Sequence, residues 1–335
     1  MNFFNQNKTI IIAEACDNHF GDLKKAKKMV LRAKKCGADI IKFQHHIPDE
    51  EMLKKVPKSK NFKISLYDFL KKYALTIQDH YELKKFCELN SIKYLCTPFS
   101  YKAALELNEL NVEFFKIGSG EFTDLMFIDK LIKFKKPIIF STGMSSDREI
   151  DFMCKYFMKK KLRDIAILNC TSEYPPKIED INLGFITSLK NKYKDFVIGH
   201  SDHTNSIYTS IAAVALGAKI IEKHVYLDGF NNGPDKDVSI SFDNLKTLVD
   251  SIRLVEKAIG KNKKIYNQEL PIRKWARRSL VATFNIKKGE KLSEKNFFSK
   301  RPGTGIPSKD YLKILGKVAN KNIKKDSILK YSDFY

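Results

Sequence analysis

Eight short apolar runs, each the size of a β-strand, alternate with amphipathic stretches between residues 9 and 259 of this chain. The runs lie near Thr9–Ala13, Asp39–Phe43, Lys93–Cys96, Glu113–Ile117, Pro137–Phe140, Ile165–Asn169, Phe196–Gly199 and Lys219–Ile221. The stretch after the first run, Asp22–Cys36, is apolar at Leu23, Ala26, Met29, Val30 and Ala33, close to the helical period. Phe242–Ile259 follows the eighth run in the same way. Eight alternating units predict an α/β fold of the (β/α)8 TIM-barrel type. The alternative, a doubly wound open sheet, is disfavoured because no Gly-rich GxGxxG turn follows the first strand.

A barrel of this kind gathers its chemistry just beyond the carboxyl ends of the strands. Polar residues stand there after every run. The first ends at Glu14, ahead of Asn18 and His19; the second carries Lys42 and Gln44; the third ends in Thr97. The fourth carries Lys116, then Gly118, Ser119, Gly120 and Glu121. The fifth ends in Ser141, and the sixth leads to Ser172 and Tyr174. The seventh leads into Ser201, Asp202 and His203, and the eighth into Glu222, Lys223 and His224. A single Ser or Thr in such a place is ordinarily a helix cap, and a single His a hydrogen-bonded core residue. Eight coincidences are harder to dismiss. His203 and His224, at matching positions on consecutive strands, are candidate ligands of a divalent metal.

Residue chemistry narrows the reaction. Lysines inside a barrel mouth need an anionic partner, and Lys42 and Lys116, with the hydroxyls of Thr97, Ser119 and Ser141, fit a phosphate or carboxylate. Glycines flanking Ser119 let main-chain amides approach such an anion. A metal can polarise a carbonyl, and Glu14 and Glu121 can move protons or hold hydroxyls. Together these suggest addition of a phosphorylated carbon nucleophile to a carbonyl. The formal charge of +22 raises a second class, a basic nucleic-acid-binding protein on a barrel scaffold. The basic residues are mostly lysines scattered over nearly every predicted helix, which reads as compositional bias, so neither nucleic acid nor membrane is expected as a partner. No apolar run is long enough to cross a bilayer, no signal peptide is evident, and the six cysteines form no CxxC pair, so a cytoplasmic setting with reduced thiols is expected.

Two segments stand apart. Residues 45–75 make an unusually long connection on the active face and read as a substrate lid. Beyond the barrel, placed at residues 1–262, a polar linker is expected over 263–277 and a small, mostly β module over 278–335. The module holds a weak repeat: Ile286, two lysines, Leu292 and Phe297 recur at the same offsets as Ile323, two lysines, Leu329 and Phe334. Between the copies lies a Gly/Pro-rich loop carrying Arg301. An ice- or carbohydrate-binding role for this module is the third class considered; its size and charged repeat favour a capping role.

The motifs AEACDNHFGD, GADIIKFQ, TPF, FFKIGSGE, STGM, CTSEYP, INL, GHSDHT, AAVALGAKIIEKH, GPDKDVS and KRPGTGIP occur in order over nearly the whole chain. In these the chain resembles bacterial sialic acid synthases, which condense phosphoenolpyruvate with an N-acylated hexosamine to give nine-carbon nonulosonic acids. The resemblance implies a barrel followed by an antifreeze-like (SAF) domain that caps the partner's barrel in a homodimer. It implies a metal at His203 and His224, typically manganese, with magnesium or cobalt as alternatives. It places Lys42, Thr97, Lys116, Ser119, Ser141, Ser172 and Ser201 around phosphoenolpyruvate, and Gln44, Glu121, Tyr174 and Asp235 against the sugar. Arg301 would reach the N-acyl group from the neighbouring subunit, and Glu14, Lys116 and Glu121 would be catalytic. The acceptor expected first is N-acetylmannosamine, giving N-acetylneuraminate; the alternative is a 2,4-diacetamido-2,4,6-trideoxymannose, giving N,N′-diacetyllegionaminate. The intact KIGSGE motif looks less like the pseudaminate branch. Three departures, Cys16 where Gly is usual, His200 where Tyr is usual, and His45-His46, are expected at the barrel mouth, where they bear on the acceptor.

Overall fold

All eight expected strands form, as β1 (Ile10–Glu14), β2 (Ile40–His45), β3 (Lys93–Pro98), β4 (Phe115–Ile117), β5 (Ile138–Ser141), β6 (Ile165–Cys170), β7 (Val197–Asp202) and β8 (Ile220–Tyr226). The computed structural model describes residues 4, 8–55, 64–229, 235–260 and 262–335. Pairing is parallel in the order β3-β2-β1-β8-β7-β6-β5-β4, and β3 lies against β4, so the sheet closes on itself as a TIM barrel. Several strands run further than the apolar pattern: β8 continues through Glu222, Lys223 and His224 to Tyr226. The apolar signal stops where side chains become polar, while main-chain pairing does not.

Side chains alternate between the two faces of each strand. Ile10, Ile12, Ile40, Leu95, Phe114, Ile139, Ala166, Leu168 and Ile220 fill the barrel interior. Their neighbours Ile11, Ala13, Ile41, Phe43, Phe115, Ile117, Ile138, Phe140, Ile167 and Ile221 pack outward against the helices. Gly199 is required where β7 meets β8: a Cβ there would sit 2.5 Å from the Ile220 carbonyl oxygen. Helix Leu23–Cys36 shows how the outer ring is set. Asp22 caps its first turn, Gly37 ends it at φ +85°, and Ala26, Met29, Val30, Ala33 and Cys36 form its buried stripe.

The connection after β2 carries two short helices, Pro48–Glu51 and Leu66–Tyr73. Phe20, from the loop after β1, packs edge-on to Phe69 and Tyr73, so the described part of the expected lid is anchored on that loop. Residues 56–63 of the lid, and the first two residues of the GPDKDVS motif, lie outside the described residues.

The chain divides into two units, Met1–Ile259 and Gly260–Tyr335. The expected linker holds helix Glu269–Ala276, which falls within the second unit. The Lys274 carbonyl accepts from Gly303 at 2.8 Å, and the Arg301 guanidinium lies over Trp275. The second unit has its own core, including Leu280, Ala282, Ile286, Leu292, Phe297, Ile323, Leu329 and Phe334, and one antiparallel pair, Ser279–Ala282 with Phe297–Lys300. The sequence repeat is structural: Ile286 and Ile323 face one another and exchange both main-chain hydrogen bonds at 2.8 Å.

Candidate active site

The inward parity of the interior rows continues upward into charge. On β1 the residue after Ile10 and Ile12 is Glu14; on β2 Ile40 is followed by Lys42 and Gln44; on β8 Ile220 is followed by Glu222 and His224. Register places Glu14 beside both Lys42 and His224. The Lys42 ammonium lies 3.1 Å from Glu14 and 3.0 Å from Glu222, and Lys116 lies 3.7 Å from Glu222. Lys116 also donates to Ser141 Oγ at 2.6 Å, and Ser201 Oγ donates to Glu222 at 2.9 Å. All four charged groups are buried. Such a network holds only because each charge has a partner.

The two carboxyls are driven apart. Burial and the nearby Glu222 charge raise Glu14 to about 7, against the pull of Lys42. Against its own burial, Glu222 is drawn down to about 2 by Lys116 and Lys42. Burial lowers Lys116 to about 8, although Glu222 opposes it. Lys42, between two carboxyls, stays above the ordinary lysine range despite burial. Near neutral pH the cluster therefore holds two ammonium groups, one firm carboxylate and one half-titrated carboxyl, so it lacks negative charge.

Hydroxyls line the same wall. Ser119 Oγ accepts from the Gly143 amide at 3.0 Å. A Cβ on Gly143 would fall 2.1 Å from Ser172 Oγ and 2.8 Å from Ser119 Oγ, so glycine is what lets both hydroxyls close in. Thr97 Oγ1 is buried without a hydrogen-bond partner. The expected anion set, Lys42, Thr97, Lys116, Ser119, Ser141, Ser172 and Ser201, thus occupies strand ends β2 to β7 of one cylinder. Gln44 donates to Glu14 at 3.1 Å, and His46 bonds Gln44 and Glu51 at 3.0 Å each. Burial raises Glu121 to about 7, and its Oε2 has no partner.

His203 and His224 come together, with ring centroids 5.2 Å apart. The His203 Nδ1–H donates to the Thr171 carbonyl at 2.8 Å, while Nε2 lies 3.4 Å from the Tyr174 hydroxyl and the two rings stack at 4.5 Å. That bond leaves Nε2 as the ligating nitrogen once its proton is lost. Among the described residues, the one group of three whose ligand atoms lie within 4.8 Å of one another is Cys16, His224 and Asp235. Imidazole, thiol and carboxylate converging at the mouth fit a divalent cation.

Sequence reasoning missed three residues here. Glu222 bridges both lysines, and its signal was the parity it shares with His224. Cys170, 3.9 Å from His203, is drawn down to about 7 by that histidine against the effect of burial. Cys16 was read only as a departure. It sits at φ +44°, a left-handed conformation that costs a non-glycine residue about 1–2 kcal/mol, which explains why glycine suits this position. Two expectations about the mouth are corrected. His200 has the outward parity of β7 and bonds the Asn169 carbonyl at 2.9 Å. His45 also faces outward, bonding Glu106 at 2.7 Å and meeting His80 edge-on. Asp202 likewise faces out, in an ion pair with Lys223 at 3.1 Å. Arg301 belongs to the second unit, where its Nε donates to the Ala276 carbonyl at 3.1 Å.

Comparison with known proteins gives concordant results. Residues 29–264 match the NeuB family and residues 277–334 the SAF domain. The chain is 41% identical to an N,N′-diacetyllegionaminic acid synthase of Campylobacter jejuni, over 96% of this chain and 99% of that one. It is 38% identical to a pseudaminic acid synthase of the same species, over 99% and 98%. The crystal structure of an N-acetylneuraminic acid synthetase from Leptospira borgpetersenii superposes with a TM-score of 0.72 at 32% identity, covering 79% of this chain and 90% of that one.

Proposed function

This chain belongs to the NeuB family, and we propose that it is a nonulosonic acid synthase, joining phosphoenolpyruvate to an open-chain N-acylated hexosamine with release of phosphate. The observation that carries this reading is the buried Lys42–Lys116 pair at the barrel mouth, walled by serine and threonine hydroxyls, beside two converging histidines.

In this reading Lys42, Lys116, Thr97, Ser119, Ser141, Ser172 and Ser201 hold the phosphoenolpyruvate anion. Its charges take over from Glu14 and Glu222 as partners of the two lysines. Gln44, Glu121, Tyr174 and Asp235 hold the sugar, and Arg301 of a second subunit reaches the N-acyl group. A divalent metal at His203 and His224, manganese by family resemblance, supplies Lewis-acid polarisation of the acceptor aldehyde. The methylene carbon of phosphoenolpyruvate forms the new bond to the aldehyde carbon, whose oxygen takes a proton. Water adds to the former enol carbon, and phosphate leaves with cleavage of its C–O bond. Glu14 and Glu121, both near 7, are poised to give or take these protons at neutral pH. No helix among the described residues is long and apolar enough to cross a membrane, in keeping with the cytoplasmic setting we propose.

N-acetylmannosamine is the first acceptor proposed. The second is the 2,4-diacetamido-2,4,6-trideoxymannose; relatives named as diacetyllegionaminic and pseudaminic acid synthases are 41% and 38% identical to this chain. The test is phosphate release from phosphoenolpyruvate with manganese against N-acetylmannosamine, its 6-phosphate, the diacetamido mannose and its altrose isomer, each with and without chelator. Chelator-sensitive release with one sugar is the expected result. No release with any of them from folded protein would overturn the reading.

A further inference from the structure

The three-residue cluster at the mouth differs from the two-histidine site expected from sequence. Cys16 Sγ lies 2.5 Å from Asp235 Oδ2, and a ring nitrogen of His224 is within 4.8 Å of both ligand atoms. Cys16 and His224 are each 4% exposed. His224 Nδ1 is buried with no hydrogen-bond partner, an unfilled donor or acceptor position beside the thiol and the carboxylate. The thiol is held here by the loop after β1 and Asp235 by the segment after β8, and Asn18, in the same loop, donates to the Val225 carbonyl of β8 and to Ser239 Oγ. The ligand atoms are therefore fixed from both sides of the β1–β8 seam. The backbone of Cys16 is held in the left-handed region, which a glycine would occupy at no steric cost. A residue that keeps an unfavourable conformation in order to place sulfur against a carboxylate and an imidazole needs a reason for the sulfur.

We propose that Cys16, Asp235 and His224 form a thiolate-bearing ligand set for the divalent metal, and that this set selects a borderline ion such as Zn2+ or Co2+ over Mn2+ and Mg2+. Sulfur ligands favour the softer ions, whereas a site of imidazole, carboxylate and water oxygen accepts manganese and magnesium readily. The inference rests on the reading above that the mouth holds a divalent metal, and it changes which metal that is. Asp235 then serves as a metal ligand in addition to, or in place of, its proposed contact with the sugar.

The probe is Co2+ added to the full-length, metal-stripped protein, read by absorption rather than turnover. Bound Co2+ with a thiolate ligand gives an intense near-ultraviolet charge-transfer band that nitrogen and oxygen ligands do not. The wild-type protein is expected to show it. Cys16→Gly, which relaxes the backbone and so should fold, is expected to lose the band. Its affinity for Co2+ and Zn2+ should fall by at least about tenfold, with Mn2+ affinity little changed. Cys170→Ser should keep the band, excluding the thiol beside His203 as its source. Co2+ that binds with visible ligand-field bands but no thiolate band, or a band that survives in Cys16→Gly, would overturn this inference and leave the metal reading standing. Failure of the wild-type protein to retain Co2+, Zn2+ or Mn2+ would overturn both.

Discussion

At the scale of single residues, Lys116 offers the clearest handle. Burial lowers it to about 8, and its partners, Glu222 at 3.7 Å and the Ser141 hydroxyl, leave room for one more negative charge. The ammonium form is the one that binds an anion. Below pH 8 it is already charged and binding takes up no proton. Above pH 8 the free protein must gain a proton for phosphoenolpyruvate to bind, so affinity should fall by about tenfold per pH unit. Calorimetric titration of phosphoenolpyruvate at pH 7 and pH 9, in buffers of different ionisation enthalpy, should show uptake of a proton by Lys116 at pH 9 that Cys or carboxyl titration at pH 7 does not supply, and Lys116→Arg should remove it. An affinity flat from pH 7 to 9.5 would remove Lys116 from the anion site. The histidines give a second test. Replacing His224, common to both ligand sets, with Ala should abolish metal retention and turnover together, and an active variant free of metal would defeat the assignment.

Among the elements, the strands explain both what was legible and what was not. Gly199 tests the packing directly. A methyl group there would meet the Ile220 carbonyl and Leu168 Cδ2, each at 2.5 Å, across the β7–β8 seam. Main chain cannot step aside as a flexible side chain can, so Gly199→Ala should cost about 1–3 kcal/mol, read as a lower melting temperature; a wild-type melt would contradict the seam as described. The same period-2 order made the barrel readable, because Ile10-Ile11-Ile12-Ala13 and its counterparts are apolar on both faces, as strands buried on both sides are. Glu14, Lys42, Lys116 and His224 each continue an inward row. The errors came where the expectation ignored that parity. His200 and His45 were assigned to the mouth by their position after an apolar run, yet each is one residue out of phase and faces the helices. Glu222 was passed over although it is in phase. Cys16 was legible only as a departure from the usual glycine, because its surroundings rest on a positive φ and on a carboxylate 219 residues away.

For the whole molecule, the question is what the second unit does. It has a core of its own, centred on the paired repeat at Ile286 and Ile323, and the barrel has two, inside and outside its sheet. Each unit has a core of its own, so a chain ending at Ile259 should fold, bind phosphoenolpyruvate and fail to use the sugar. Helix Glu269–Ala276 buries none of its residues in this chain, and Leu270, Ile272 and Trp275 are all more than half exposed. Apolar side chains in that number on one short helix suit a surface covered by a second subunit. If the cap comes from the partner, complementation follows from symmetry. A subunit carrying Arg301→Ala has a sound barrel and a faulty cap; one carrying Lys116→Ala has the reverse. Each homodimer should be nearly inactive with sugar. After subunit exchange in an equal mixture, half the dimers are mixed, and each has one barrel with an intact Lys116 beneath an intact Arg301. About a quarter of the wild-type sites should then return. A cap supplied within the same chain predicts no recovery at any ratio, because every site would keep one of the two faults.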